Sequence, residues 1–365
     1  MAALRDAMLQ AGPGGLAAAG LAIGLAFGAI VTRTNFCTMG SISDFMTFGD
    51  WRRFRAWILA AATALVGAQL LQGAGVVDLA QSMYLGTSLN WVGHIAGGLM
   101  FGFGMVLAGG CASKNLARAG GGDLRALITL VIVGLTAFVA IGGLLGPLRA
   151  IVEQATAIDL KGAGLATQSL GALVGKLIGA GRGNMVVAAL IALAALTFCF
   201  NDEAFRTSPL HILSGLGVGL CVVAGWAATG LAFDDMAPGP TPPVSLTFVR
   251  PTGDALDWLQ RFTAGRIPGF GTATVFGALI GACLTAIAMG RFKLTTYSDA
   301  RDARRNLGGA VLMGIGGVLA LGCTVGQAIT GISTLALGSF LTFGAIVAGG
   351  MQGMKHMERV MMAEA

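Results

Sequence analysis

The chain has 365 residues, of which 55% are hydrophobic and 11% charged, with 59 glycines, a formal net charge of +6 and a mean hydropathy of +0.79. Soluble domains carry about 25% charged residues, so a cytosolic enzyme and a disordered chain are excluded, and six cysteines are too sparse for a disulfide scaffold. This is the composition of an all-α polytopic membrane protein. The glycines follow no Gly-X-Y period; in a membrane chain they mean close helix packing and backbone breaks. The basic residues sit in short loops between apolar runs and form no face for a nucleic acid.

A spanning helix needs about 20 mostly apolar residues. Nine candidate spans follow in chain order: Leu16–Val31, Phe54–Gly73, Trp91–Gly109, Leu124–Pro147, Asn184–Phe200, Leu210–Gly230, Gly271–Gly290, Gly308–Leu321 and Leu335–Gly350. The first lacks a small-residue cleavage site and runs into Arg33, so it reads as a retained span rather than a signal peptide. Nine crossings divide the loops into two sets, one with 15 Lys and Arg and the other with 8. The richer set includes Arg33, Arg52, Arg53, Arg55, Lys114, Arg118 and the charged run Asp299–Arg305, and is expected in the cytoplasm with the C-terminus. The poorer set includes Arg5 and Arg182, and places the N-terminus outside with the loops Gly75–Asn90, Ala150–Gly183 and Phe233–Phe270. Within the last, Pro238, Pro240, Pro242 and Pro243 make Asp234–Pro243 too rich in proline for a helix.

Two segments repeat. GGLMFGFGMVLAGGC at 97–111 and GAVLMGIGGVLALGC at 309–323 match at 8 of 15 positions with an offset of 212 residues. The same offset carries TNFCTMG (34–40) onto LTFVRPT (246–252), pairing Phe36 with Phe248 and Cys37 with Val249. Five predicted spans lie between Cys37 and Val249, and an odd number inverts the second copy. The expectation is one transport domain over 1–365 with inverted halves near 16–200 and 210–350, a recurrent transporter design with its site near the bilayer midplane.

Three cysteines stand at glycine-rich or polar breaks: Cys37 in TNFCTMGS, Cys111 in AGGCASKNLARAGGG and Cys323 in ALGCTVGQAITG. Such a break frees backbone N–H groups and opens a helix N-terminus, which favours anions. Cys199, Cys221 and Cys283 lie in plain apolar helices and read as small buried hydrophobes. Metal ligation is poorly supported, since no C-x-x-C occurs and no His lies near the three break cysteines. No paired base accompanies them for nucleophilic catalysis, no Walker A motif is present, and no cofactor is implied. Lys114 and Arg118, four apart, share a helix face that either draws an anion or sets topology. Asn35, Asn115, Thr324, Gln327 and Thr330 are candidate polar liners of a path.

The motifs NFC (35–37), GGC (109–111), LGCTVGQAITG (321–331) and LTFVRPTGDAL (246–256) together resemble the YeeE/YedE family of bacterial sulphur-transport membrane proteins, over roughly residues 16–350. The resemblance implies an inner-membrane, hourglass-like protein whose inverted halves bring short broken helices to a central constriction. It further implies that a thiosulfate-like anion is taken into the cytoplasm along Cys37, Cys111 and Cys323. A further reading, compatible with import, is a subunit that hands sulphur to a cytosolic sulphur-accepting protein. The chain departs from the pattern after Cys111, where SKN places Lys114 at the position that Gly326 holds in Cys-x-x-Gly. A neutral thiol suits the role: it is a weak S–H donor, whereas a thiolate would repel the anion. The alternative from another class is a membrane thiol oxidoreductase or sulphur-transferase working through disulfides or persulfides.

Overall fold

The computed structural model describes residues 2–162, 164–165, 167–178, 183–236 and 241–364; Arg182, Pro238 and Pro240 fall outside them. Apolar runs cut by glycine and polar breaks become α1 (Ala2–Thr34), α2 (Thr38–Phe48), α3 (Arg52–Gly73), α4 (Gly98–Leu107), α5 (Ala112–Gly120) and α6 (Leu124–Ile141). There follow α7 (Gly146–Thr156), α8 (Leu170–Ile178), α9 (Gly183–Phe200), the single turn α10 (Glu203–Arg206) and α11 (Pro209–Leu231). The chain closes with α12 (Arg250–Gln260), α13 (Phe270–Ala288), α14 (Ala300–Leu319) and α15 (Leu337–Glu364). Two π-helical turns, Gly93–Gly97 before α4 and Gly326–Gly331 after α14, lie beside the repeated segments. The strands among the described residues are β1 (Ser88–Leu89) and β2 (Ile158–Asp159), paired antiparallel.

Eight helical stretches among the described residues are long and apolar enough to cross a membrane. The ninth expected span, Gly308–Leu321, lies largely in α14, a helix of 20 residues whose first turns carry Arg301, Asp302, Arg304 and Arg305. The first span is longer than expected: α1 runs 33 residues, bent at Gly12 (φ 57°) ahead of Pro13.

Two expected loops are corrected. The segment 150–183 holds most of α7 and all of α8, 11 and 9 residues long. Pro147 starts α7 where a missing N–H costs nothing, and an Arg149–Glu153 ion pair at 2.8 Å braces it. Within 233–270, residues 243–248 form no regular element but run largely buried through the protein, and Val249, already helical in conformation, leads into α12. Side chains satisfy part of that backbone, as burial at membrane depth requires: Thr229 Oγ1 donates to Val244 O at 2.7 Å, and Thr330 Oγ1 to Leu246 O at 2.7 Å.

Packing repeats at the 212-residue offset. The 11 residues of α2, capped by Cys37, map onto the 11 of α12, capped by Val249. α1 packs on α13 as α11 packs on α3, and α4 packs on α15 as α14 packs on α6. Where α4 meets α14, glycines let the backbones touch. A Cβ at Gly104 would lie 2.7 Å from Gly309 O, and one at Gly316 would lie 2.7 Å from Gly97 O, the equivalent contact with the partners exchanged.

The loops gather at two ends. One end holds β1 with β2, the Arg5 bond to Phe233 O and the bridge between Ser169 and Ala336. The other holds the bridge between Asp123 and Thr295, the Arg55–Asp202 ion pair and the contact of Arg305 with Met357 near the end of α15.

Candidate functional site

Each of the three break cysteines stands at the start of a short helix, and each is buried. Cys37 and Cys323 head the same tetrapeptide, Cys-Thr-x-Gly. In both, the glycine N–H three residues on donates to the cysteine Sγ at 3.4 Å, a sulphur version of the N-cap bond. Cys111 heads Cys-Ala-Ser-Lys instead, and its Sγ lies 3.2 Å from Ser113 Oγ. Cys37 and Cys323 each lie within electrostatic range of Cys111. All six cysteines are free thiols. Among the described residues no three His, Cys, Asp or Glu side chains gather as metal ligands would.

The breaks before Cys111 and Cys323 have one backbone. Gly110 N–H bonds Met105 O at 2.8 Å, and Gly322 N–H bonds Gly317 O at 2.7 Å, the equivalent pair at the 212-residue offset. Each helix closes through a left-handed residue, Gly109 (φ 72°) in the first and Leu321 (φ 59°) in the second. Glycine adopts that conformation freely, and leucine does so at a cost of about 1–2 kcal/mol.

Buried amides brace both breaks. Asn115 Nδ2 donates to Gly110 O at 2.8 Å, and its counterpart Gln327 donates from Nε2 to Ala320 O at 2.6 Å while accepting from Ser339 Oγ at 2.6 Å. Thr330 holds Leu246 O, so Asn115, Gln327 and Thr330 each turn a donor toward the backbone. Thr324 differs: it is fully buried, and its hydroxyl has no hydrogen-bond partner.

Lys114 and Arg118 part company despite their shared face. Arg118 turns back to Gly109 O at 2.7 Å and to Asp123 at 2.7 Å, bracing the break. Asp123 lies outside the spans; burial pushes its carboxyl up, but the bonds from Arg125 and Arg118 outweigh this and hold it below its ordinary value. Lys114 reaches across to the segment before Cys37 and donates to Asn35 Oδ1. Asn35 itself is left-handed (φ 55°), a conformation asparagine tolerates better than most residues. Beside this pair opens a cleft of about 450 Å³ lined by Arg33, Asn35, Arg53, His211 and Arg291 among others. Arg53 is paired with Asp44 at 3.3 Å.

The sequence reading did not single out Thr38, Tyr84 or Thr247. The Thr38 hydroxyl is buried without a partner, the buried Tyr84 hydroxyl has only a weak contact with Thr247, and Thr247 Oγ1 is 4.0 Å from Cys323 Sγ. A signal existed for two of them: Thr38 and Thr324 each follow a cysteine, and Thr247 is the repeat counterpart of Asn35. Nothing local in the sequence marks Tyr84.

A family model described as sulphur transport matches residues 33–352, a stretch that contains all three break cysteines. The chain belongs to that family. It is 28% identical over 333 residues to a thiosulfate transporter TsuA of Spirochaeta thermophila, covering 88% of this chain and 93% of the relative. A thiosulfate transporter TsuA of Escherichia coli is 27% identical over 326 residues, covering 85% and 86%. A probable transporter YedE of E. coli is 31% identical over 104 residues, covering 28% and 24%.

Proposed function

We propose that this protein is a bacterial inner-membrane importer of thiosulfate or a similar small sulphur-containing anion, and that the anion passes along the thiols of Cys323, Cys111 and Cys37. The names of its full-length relatives support the substrate class. The observation that carries the mechanism is the set of three buried free thiols, each at the start of a short helix, with Cys37 and Cys323 each within electrostatic range of Cys111.

An isolated dianion in hydrocarbon is very costly. Helix N-termini offset that cost without a fixed charge that would hold the ion fast, and an S–H group adds a weak donor suited to a terminal sulphur. Weak successive contacts allow entry without trapping. The rest of the reading follows from loop charge and the repeat. The halves are inverted, and the end rich in Lys and Arg faces the cytoplasm with the C-terminus. Cys323 is then the outer station. Cys37 is the inner one, opening beside Lys114 and the arginine-lined cleft, where a cytosolic sulphur-accepting protein would collect the anion.

Replacement of Cys37, Cys111 or Cys323 by Ser in proteoliposomes tests this. Each variant is expected to lose at least tenfold in thiosulfate uptake while keeping its detergent melting temperature. Full uptake by all three would end the thiol-relay account. A persulfide or disulfide at these positions, found by mass spectrometry during turnover, would favour a membrane thiol oxidoreductase instead.

A further inference from the structure

Burying a hydroxyl without a partner costs about 1–3 kcal/mol, and such groups are few in native proteins and call for an explanation. This chain places two of them around Cys323. Thr324 Oγ1 is unpartnered on a residue with 0% exposure, immediately after the cysteine. Tyr84 Oη makes no hydrogen bond of ordinary length on a residue with 2% exposure; its nearest polar neighbour is the Thr247 hydroxyl, and Tyr84 is within electrostatic range of Cys323. Thr247 adds a third hydroxyl, 4.0 Å from the Cys323 sulphur. A side-chain carbon at Gly326 would meet Thr247 Oγ1 at 2.5 Å and Tyr84 Oη at 3.5 Å, so both hydroxyls face the same turn of helix that follows Cys323. The three come from distant parts of the chain: the segment after α3, the stretch before α12, and the helix after α14.

We propose that Tyr84, Thr247 and Thr324 form a hydroxyl site that binds the oxygen atoms of the anion while the Cys323 thiol faces its sulphur. The proposal rests on the import reading above and adds the oxygen half of recognition to it. Each hydroxyl has one proton to donate, so three can serve the oxygens of a sulphonate-like group, and the thiol is left for the terminal sulphur. No cation is built into this set: Gly326 stands where the first copy has Lys114, and Thr247 where it has Asn35. The site therefore selects by the number and direction of donors rather than by charge, and releases its ion more readily than a lysine would. It is closed in this conformation, with Cys323 and Thr324 both at 0% exposure, so the packing around them must open as the anion enters.

The test compares an oxygen-bearing with an oxygen-free sulphur anion. Wild type, Tyr84→Phe, Thr324→Val and Thr324→Ser are reconstituted, and thiosulfate uptake is measured with and without hydrosulfide as competitor. Tyr84→Phe and Thr324→Val are each expected to raise the half-saturation concentration for thiosulfate roughly tenfold or more, the effect of losing a bond to a charged group. Inhibition by hydrosulfide should be unchanged in both, and Thr324→Ser should restore the wild-type value. Unchanged half-saturation in Tyr84→Phe and Thr324→Val overturns the hydroxyl site. So does a parallel loss for thiosulfate and hydrosulfide, which would mark the hydroxyls as structural supports. Wild type that takes up no thiosulfate would instead contradict the import reading, before any variant is compared.

Discussion

The breaks at Cys111 and Cys323 share a backbone and differ in the side chains around it. Both end a helix in a left-handed residue, return an N–H to a carbonyl five residues back, and are braced by a buried amide. The first break then adds charge: Lys114 at Asn35, Arg118 at Gly109 O and an arginine-lined cleft beside them. The second adds hydroxyls and no cation, with Gly326 and Thr330 in place of Lys114 and Arg118. The lesson is that the repeat fixes where helix ends and thiols stand, and the residues around each thiol are free to differ. Under the proposed orientation, an anion moves from a neutral outer station to a cationic inner one.

The largest effects should come from the shared frame. Gly104→Ala and Gly316→Ala each drive a Cβ to 2.7 Å from the facing helix's backbone oxygen. Each should destabilise by roughly 1–3 kcal/mol, read as a lower melting temperature in detergent. Gly344→Ala, with nothing within 4 Å of its Cβ inside α15, should be neutral or stabilising by about 0.5–1 kcal/mol. If the two contact variants do not fall together, the α4–α14 contact is not equivalent in the two halves.

The braces come next. Gln327→Ala removes two short bonds and leaves Ala320 O and the Ser339 hydroxyl without that partner, while Asn115→Ala removes the bond to Gly110 O and a longer one to Cys111 O, which keeps its bond from the Asn115 N–H. Costs of about 1–3 kcal/mol are expected, larger for Gln327. Chemical denaturation of the two variants side by side orders them.

Lys114→Gln sharpens the contrast between the stations. It keeps a polar side chain but removes the cation, so the half-saturation concentration for uptake should rise several-fold and become less sensitive to salt, the signature of a lost electrostatic attraction. An unaltered salt dependence would assign Lys114 to packing and topology alone.

Asp123 gives the smallest effect. Its carboxyl is held below the ordinary value, near 3.9, so its pairing with Arg118 and Arg125 stabilises fully above that value and is lost as pH falls through the lowered folded one. Asp123→Asn should therefore lower the melting temperature at neutral pH and make progressively less difference below about pH 4. A difference that persists in acid would mean the side chain's shape matters more than its charge.

Much of this was legible in the sequence, for physical reasons that differ by region. Long apolar runs admit one solution in lipid, so the main spans could be read directly, and a cysteine after a glycine break marks a helix start. Short elements were not legible: α7 and α8 carry too few apolar residues to stand out, and the stretch 243–248 follows prolines that made it look like a surface loop. Side-chain direction was also hidden. Composition cannot say that Asn115 and Gln327 turn toward carbonyls while Thr324 does not, because that depends on which backbone groups the fold leaves unpaired. Tyr84 reaches Cys323 only through tertiary packing, its ring set edge-on to Trp226 at 6.5 Å.

The measurement that bears most directly on the central claim is uptake of labelled thiosulfate by proteoliposomes carrying wild type or Cys111→Ala, each with excess sulfate as competitor. Cys37 and Cys323 each lie within electrostatic range of Cys111, so its loss should abolish uptake, and sulfate, which has no terminal sulphur, should compete weakly with wild type. Wild-type rates in Cys111→Ala, or full inhibition of wild type by sulfate, would contradict recognition of the anion through its sulphur.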